Sequence, residues 1–211
     1  MNRLLLATRS ADKAREIREI LTAAGCDVEL VSLEEARVAW SSAEEEIEDQ
    51  DSFLGNARKK AEYFARLTGL PTVADDSGIE VIALLGKPGV KSKRFALNAA
   101  SLSGKPLDAA NNAELLLRLR GADEKRRRAS YTCVAVLMRR PSAPPEEFTG
   151  RCWGRILEEP RGSGGFGYDP LFFHEGSGRT FAELAPEEKH AVSHRGEAFR
   201  QVAEALKAKP L

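Results

Sequence analysis

LLLATRSADKAREIREILTAAGCDVELV, residues 4–31, decides the fold class. Leu4 to Thr8 reads as a short strand buried in a core. From Ala11 to Ala24 the apolar residues Ala14, Ile17, Ile20, Leu21 and Ala24 recur at helical spacing, and Gly25 ends the helix. A second short strand follows around Val28 to Val31. Strand, helix, strand in this order is the opening of an α/β fold, which presents ligands at the carboxyl ends of its strands. The junction from Thr8 through Ser10 to Lys13 is therefore a candidate site. Unpaired backbone N–H groups and the positive end of the helix dipole suit a phosphate there. The junction lacks the glycine pattern of a Walker loop or a dinucleotide fingerprint, which argues against kinase-like or NAD-dependent chemistry.

Downstream, Glu34 to Asp51 is polar and acidic, with Glu44-Glu45-Glu46 and Glu48-Asp49, and reads as a solvated loop. Ser52 is placed to cap a helix whose buried stripe is Phe53, Ala57, Phe64 and Leu67 and which ends near Gly69-Leu70-Pro71. Asn56 and Lys60 stand one turn apart on it, either serving a phosphate or decorating a surface. The mostly apolar run Leu70 to Ala74 then meets Asp75-Asp76 and Ser77-Gly78. Neighbouring strand residues point to opposite faces, so two adjacent carboxylates share a site only where the strand ends, and Ser77-Gly78 reads as that turn. Such a pair suits a divalent cation and a proton-accepting base; the alternative is a solvated turn.

Ile79 to Leu84 reads as a further strand, Gly86-Lys87-Pro88-Gly89 as a turn cluster and Asn112 to Leu119 as a helix. Tyr131 to Met138 and Phe148 to Leu157 form an antiparallel hairpin through the Pro141 to Pro145 connection, so the sheet is mixed. The glycine-rich Gly162 to Pro170 holds Phe166, Tyr168 and Asp169. Either the rings stack on a base while Asp169 accepts from a ring N–H, or they plug the core. The final helix covers about Gly196 to Lys207, with Phe199, Val202, Ala203 and Leu206 inward.

With 211 residues the chain makes one globular unit, and 32 basic residues against 32 acidic leave no global field for nucleic acid or membrane. Lys125-Arg126-Arg127-Arg128 has no interleaved aromatics; it is a solvated loop unless it binds RNA. Cys26, Cys133 and Cys152 are too scattered for a disulfide framework or a zinc site, and no segment approaches a membrane span. These features point to the cytoplasm.

Six motifs in order resemble one family, the inosine and xanthosine triphosphate pyrophosphatases. They are Thr8 with Lys13, Phe53 to Ala61, Leu70 to Gly78, Pro88 to Arg94, Gly164 to Pro170 and Glu188 to Gly196. The resemblance implies an elongated mixed sheet with helices around two lobes, not separable domains, a nucleotide in the cleft between them, and a homodimer. It implies Mg²⁺-dependent hydrolysis of ITP, dITP and XTP at the α–β link. Asp75 would be the base, with Asp76 and Glu48 the magnesium site. Thr8, Ser10, Lys13, Asn56 and Lys60 would face the triphosphate, with Ser77 nearby. Phe166 would stack on the purine, with Gly167 and Tyr168 of the same loop also binding substrate, while Asp169, Lys189, His194 and Arg195 would read its edge.

The chain departs from the family pattern at Arg9-Ser10, where Gly-Asn is usual, and at Glu48-Asp49-Gln50 in place of Glu-x-Gly. Lys91 stands where an aromatic is common. The substituted loop leaves a nucleotide-binding or sensing protein with little turnover as the alternative.

Overall fold

The computed structural model describes residues 2–211. Seven strands form one mixed sheet in the order β2-β1-β3-β4-β5-β6-β7: β1 (Arg3–Leu6), β2 (Glu29–Ser32), β3 (Thr72–Val81), β4 (Arg128–Met138), β5 (Glu146–Ile156), β6 (Phe172–His174) and β7 (Arg179–Thr180). The helices are α1 (Ala11–Ala23), α2 (Phe53–Thr68), α3 (Gly104–Arg118), α4 (Pro186–Val192) and α5 (His194–Ala208). β1 pairs in parallel with β2 through Leu5↔Val31 and with β3 through Leu6↔Val73. β5 and β6, then β6 and β7, pair antiparallel. The short 139–145 connection, with the Ile156 N–H bonded to the Arg127 carbonyl at the far ends, makes β4 and β5 the expected hairpin.

The chain divides into two compact units. The first comprises residues up to Asp76, Cys133–Gly150 and Arg195–Leu211. Here strand alternation sorts two cores. Leu4, Leu6, Val73, Cys133 and Ala135 pack with Ile17, Ile20 and Leu21 of α1 and Phe199, Val202 and Leu206 of α5. Leu5, Ala7, Ala74, Val134 and Val136 pack with Ala57, Ala61 and Phe64 of α2. Ser52 caps α2 by accepting from the Gly55 N–H, and Gly69 closes it at φ 72°.

The second unit comprises Ser77–Thr132 and Arg151–His194, with Ile79, Val81, Leu115, Leu119, Tyr131, Phe172 and Phe181 in its core. The Arg127 guanidinium is buried there on the carbonyls of Leu119, Ala122 and Leu157, each 3.1 Å away. The middle of the basic run is thus a clasp on the carboxyl end of α3.

Several sequence expectations are corrected. β3 runs unbroken through Asp75, Asp76, Ser77 and Gly78, and the expected strand at 79–84 is its continuation to Val81 followed by a 3-10 turn over Ile82–Leu84. Gly78 keeps a negative or extended φ; the chain leaves the extended path only at that 3-10 turn, and positive φ follows at Leu85 and Gly86, 54° and 86°. α3 begins at Gly104, eight residues before the expected start, because Pro106 lies in the first turn, where its missing N–H costs nothing.

Candidate active site

In the first unit β1 ends at Leu6, opposite Val73, so Asp75 and Asp76 lie on β3 just beyond its parallel neighbour. No turn brings the two carboxylates to one face. Asp75 follows Val73 onto the α1 and α5 side, and Asp76 follows Ala74 onto the α2 side.

Asp75 is 1% exposed. Its Oδ2 lies 3.2 Å from Lys13 Nζ, 3.2 Å from Arg195 Nη2 and 3.8 Å from the Cys133 thiol. Its Oδ1 is buried with no hydrogen-bond partner among the described residues. Burial alone raises a carboxyl pKa, but Lys13, Arg195 and Lys60 outweigh it and hold Asp75 far below the ordinary range. For Asp76 burial wins over Lys13 and Lys60, and its pKa is raised. Asp75 likewise drives the Cys133 thiol up, adding to burial.

Helix α2 supplies the other side. Asn56 Nδ2 donates to Asp76 Oδ2 at 2.9 Å, and its Oδ1 accepts from the Gln50 N–H at 2.9 Å. Lys60 Nζ donates to the Asp75 carbonyl at 3.0 Å and pairs with Glu48. Burial opposes the Lys60 charge, yet Glu48, Asp76 and Asp75 raise its pKa. Of the acidic segment, Glu44 is held by Arg9 and Asp49 by Lys59, whereas Glu48 turns to Lys60 and bears electrostatically on Asp76. Thr8 Oγ1 accepts from the Ser10 N–H at 3.2 Å, and Ser10 caps α1 by accepting from the Lys13 N–H at 3.3 Å.

The Arg9 side chain is engaged by the 38–44 segment. Its Nε and Nη2 grip both Glu44 oxygens at 2.9 and 2.6 Å, and its Nη1 and Nη2 reach the Val38 and Ala39 carbonyls at 3.0 and 3.1 Å.

The second unit holds the other expected set. Asp169, 2% exposed, accepts on Oδ2 from the Phe166 N–H at 2.9 Å and from Lys189 Nζ at 2.5 Å. Lys189 Nζ sits 4.9 Å from the centre of the half-buried Phe166 ring. His194 stacks on Tyr131 with centroids 4.5 Å apart and planes 6° from parallel. Gly167 occupies φ 63°, and Ser77 is the half-buried first residue of this unit on β3.

Two expected site residues are placed elsewhere. Tyr168 is a core residue, buried with its hydroxyl donating to the Ser92 carbonyl at 2.7 Å. Arg195 belongs to the first unit, where its guanidinium joins Asp75 to the buried Glu16, Nη1 lying 2.6 Å from Glu16 Oε2.

The Ham1 family model matches residues 4–205. The chain belongs to the Ham1 family. It is 47% identical over 199 residues to a dITP/XTP pyrophosphatase of Geobacter sulfurreducens, covering 94% of each chain. It is 42% identical over 208 residues to a dITP/XTP pyrophosphatase of Thermus thermophilus, covering 99% of this chain and 93% of that one. The solved structure of a HAM1 protein from Coxiella burnetii superposes with a TM-score of 0.83 at 38% identity, covering 99% of this chain and 100% of that one. The motif resemblance and the mixed α/β sheet both stand.

In this Ham1 chain, sequence reasoning missed Glu16, joined to Asp75 through Arg195, and Cys133, whose thiol faces Asp75. Glu16 lies three residues after Lys13, on the same face of α1, and an acid beside the buried stripe at that spacing was the available signal. Cys133 carried no local signal, being an apolar-looking residue inside an apolar strand.

Proposed function

We propose that the chain hydrolyses non-standard purine nucleoside triphosphates, ITP, dITP and XTP, at the α–β link, releasing nucleoside monophosphate and pyrophosphate. The observation that carries this reading is Asp75: a buried, ionised carboxylate under Lys13, Lys60 and Arg195, with one bare oxygen, beside a second carboxylate. Cations so placed suit a polyphosphate, and a carboxylate so placed suits a water.

The donor set fits Mg²⁺. Among the described residues no three His, Cys, Asp or Glu side chains close into a metal cluster. Mg²⁺ does not need one, since it takes one or two carboxylates and completes its shell with waters and substrate phosphates. Asp76 and Glu48 would hold it, all-oxygen donors around a hard cation. When bound, the ion neutralises charge on the phosphate oxygens. Lys13 and Lys60 turn to those oxygens as well, assisted by the α1 amino terminus with Thr8 and Ser10, by Asn56 and by Ser77. That movement removes cations from Asp75, raises its proton affinity and lets Oδ1 take the proton of the attacking water. The water oxygen bonds to phosphorus as the bond to the bridging oxygen breaks, and pyrophosphate leaves. Arg195 stays on Asp75 and Glu16 and positions the base.

Phe166 stacks on the purine, beside Gly167, while Lys189, Asp169 and His194 face its edge. A 6-keto oxygen accepts from such donors; the adenine amino group leaves them unpaired, a penalty that separates ITP from ATP. The reading includes a homodimer, as the motif resemblance implies, and a reducing, cytoplasmic location, which the three free cysteines support. The alternative of a binder with little turnover rested on Arg9 and Ser10; the Arg9 side chain is spent on Glu44, and Ser10 caps α1 through the Lys13 N–H, which supports the hydrolase reading. A panel of ITP, dITP, XTP, GTP and ATP, scored for pyrophosphate against phosphate with and without Mg²⁺, tests the proposal. Terminal phosphate release, or ATP turned over as fast as ITP, defeats it.

A further inference from the structure

We propose that Asp108 and Asn112 are positioning residues for nucleobase binding, acting on Phe166 through the Gly167 peptide. The inference rests on the reading of Phe166 as the base platform. The two side chains stand one turn apart on α3, within the second unit. Asp108 Oδ2 accepts from the Gly167 N–H at 2.9 Å, and Asn112 Nδ2 donates to the Gly167 carbonyl at 2.9 Å. A helix face thus offers one residue an acceptor and a donor, as a neighbouring strand would.

The consequence falls on Phe166. Its own N–H is held by Asp169 at 2.9 Å, and the peptide that follows it is held by Asp108. With both flanking peptides fixed, the two backbone torsions of Phe166 are fixed, and so is the direction in which its ring leaves the chain. The loop needs this restraint because Gly165 and Gly167, on either side, lie at φ 67° and 63°, where glycine has the most freedom to lose. The Gly167 carbonyl is the only hydrogen-bond partner of the Asn112 side chain among the described residues, and its other polar atom, Oδ1, is buried without one. A residue that leaves half its amide unsatisfied is there for the bond that it makes.

The test uses the full-length enzyme with ITP and with inorganic tripolyphosphate, a competitor that has no base. Asp108→Ala is expected to raise the KM for ITP roughly 10-fold and Asn112→Ala roughly 5-fold, with kcat and tripolyphosphate inhibition unchanged within about 2-fold. Asp108→Asn keeps an acceptor and restores most of the affinity. In a Phe166→Ala background, Asp108→Ala adds nothing, because both changes act through one ring. An unchanged KM in Asp108→Ala and Asn112→Ala, while Phe166→Ala raises it, overturns the inference and leaves the platform reading intact. An equal loss of ITP and tripolyphosphate binding also overturns it, by showing general damage. If Phe166→Ala itself leaves the KM unchanged, the platform reading falls, and the inference with it. Should Asp108→Ala fail to fold, Asp108→Asn and Asn112→Ala carry the same comparison.

Discussion

Arg195 bridges two buried acids, its Nη2 lying 3.2 Å from Asp75 Oδ2 and its Nη1 2.6 Å from Glu16 Oε2. A guanidinium fork spans two carboxylates in a way that a single ammonium does not. Arg195→Met leaves both carboxylates buried without that cation and is expected to cost about 3–5 kcal/mol in urea unfolding. Arg195→Lys keeps the charge and is expected to fall between wild type and Arg195→Met in both stability and ITP turnover. Equal stability of Arg195→Met and wild type would show that the bridge is dispensable.

Asp75 and Asp76 affect stability in opposite directions. Asp75, with its folded pKa depressed, contributes stability that is fully present above the unfolded carboxylate value of about 3.9 and is lost as pH falls through the folded value. Asp76, with its folded pKa raised, loses stability as pH rises from about 3.9 through its folded value. Asp76→Asn removes that penalty. It is expected to raise the Tm at pH 7, to change it less at pH 3, and to abolish Mg²⁺-dependent turnover. A lower Tm at pH 7 would contradict the assignment.

Asp75→Asn preserves shape and removes the proton acceptor. Loss of a general base costs about 10²- to 10⁴-fold in rate. ITP turnover should fall by that range, with binding of the nucleotide retained in a filter or calorimetric assay. Turnover at the wild-type rate would remove Asp75 from the role of base.

The Arg9 clamp is peripheral to the chemistry although it sits in the phosphate junction. Arg9 itself is exposed and makes its polar side-chain contacts with the 38–44 segment, so its loss falls on that segment's stability. Arg9→Gly is therefore expected to leave kcat for ITP at saturating Mg²⁺ within about 2-fold. Proteolytic cleavage within 38–48 should accelerate. A large loss of kcat with no change in proteolysis would place Arg9 at the phosphates instead.

What the sequence disclosed follows the range of the forces involved. Local signals were sound: the Ser52 cap, the Gly69 stop and the one-turn spacing of Asn56 and Lys60 all reappear as drawn. The turn expected at Ser77-Gly78 failed because pairing within a sheet overrides the turn preference of two residues. α4, with seven residues, and β6 and β7, with three and two, are too short to show a period. The pairing of Arg195 with Glu16 was not legible, although the position of Glu16 beside the buried stripe was, since the two are 179 residues apart along the chain and only the packed core brings the charges together.

Gly165 is the loop position where a side chain would strike the Asp169 carboxylate. A Cβ there would overlap the Asp169 carboxylate, and φ is +67°. Gly167 provides the control, because at φ +63° a Cβ would meet nothing within 4 Å. Gly167→Ala therefore carries backbone strain alone, about 1–2 kcal/mol. Gly165→Ala carries that strain and also drives Asp169 off the Phe166 N–H and Lys189, two bonds that hold the proposed base platform. Charged hydrogen bonds of this kind are worth about 1.5–3 kcal/mol each. The KM for ITP is expected to rise at least roughly 10-fold more in Gly165→Ala than in Gly167→Ala, a difference that steady-state kinetics reads directly. Equal effects of the two substitutions would mean that strain, and not the Asp169 carboxylate, governs the loop.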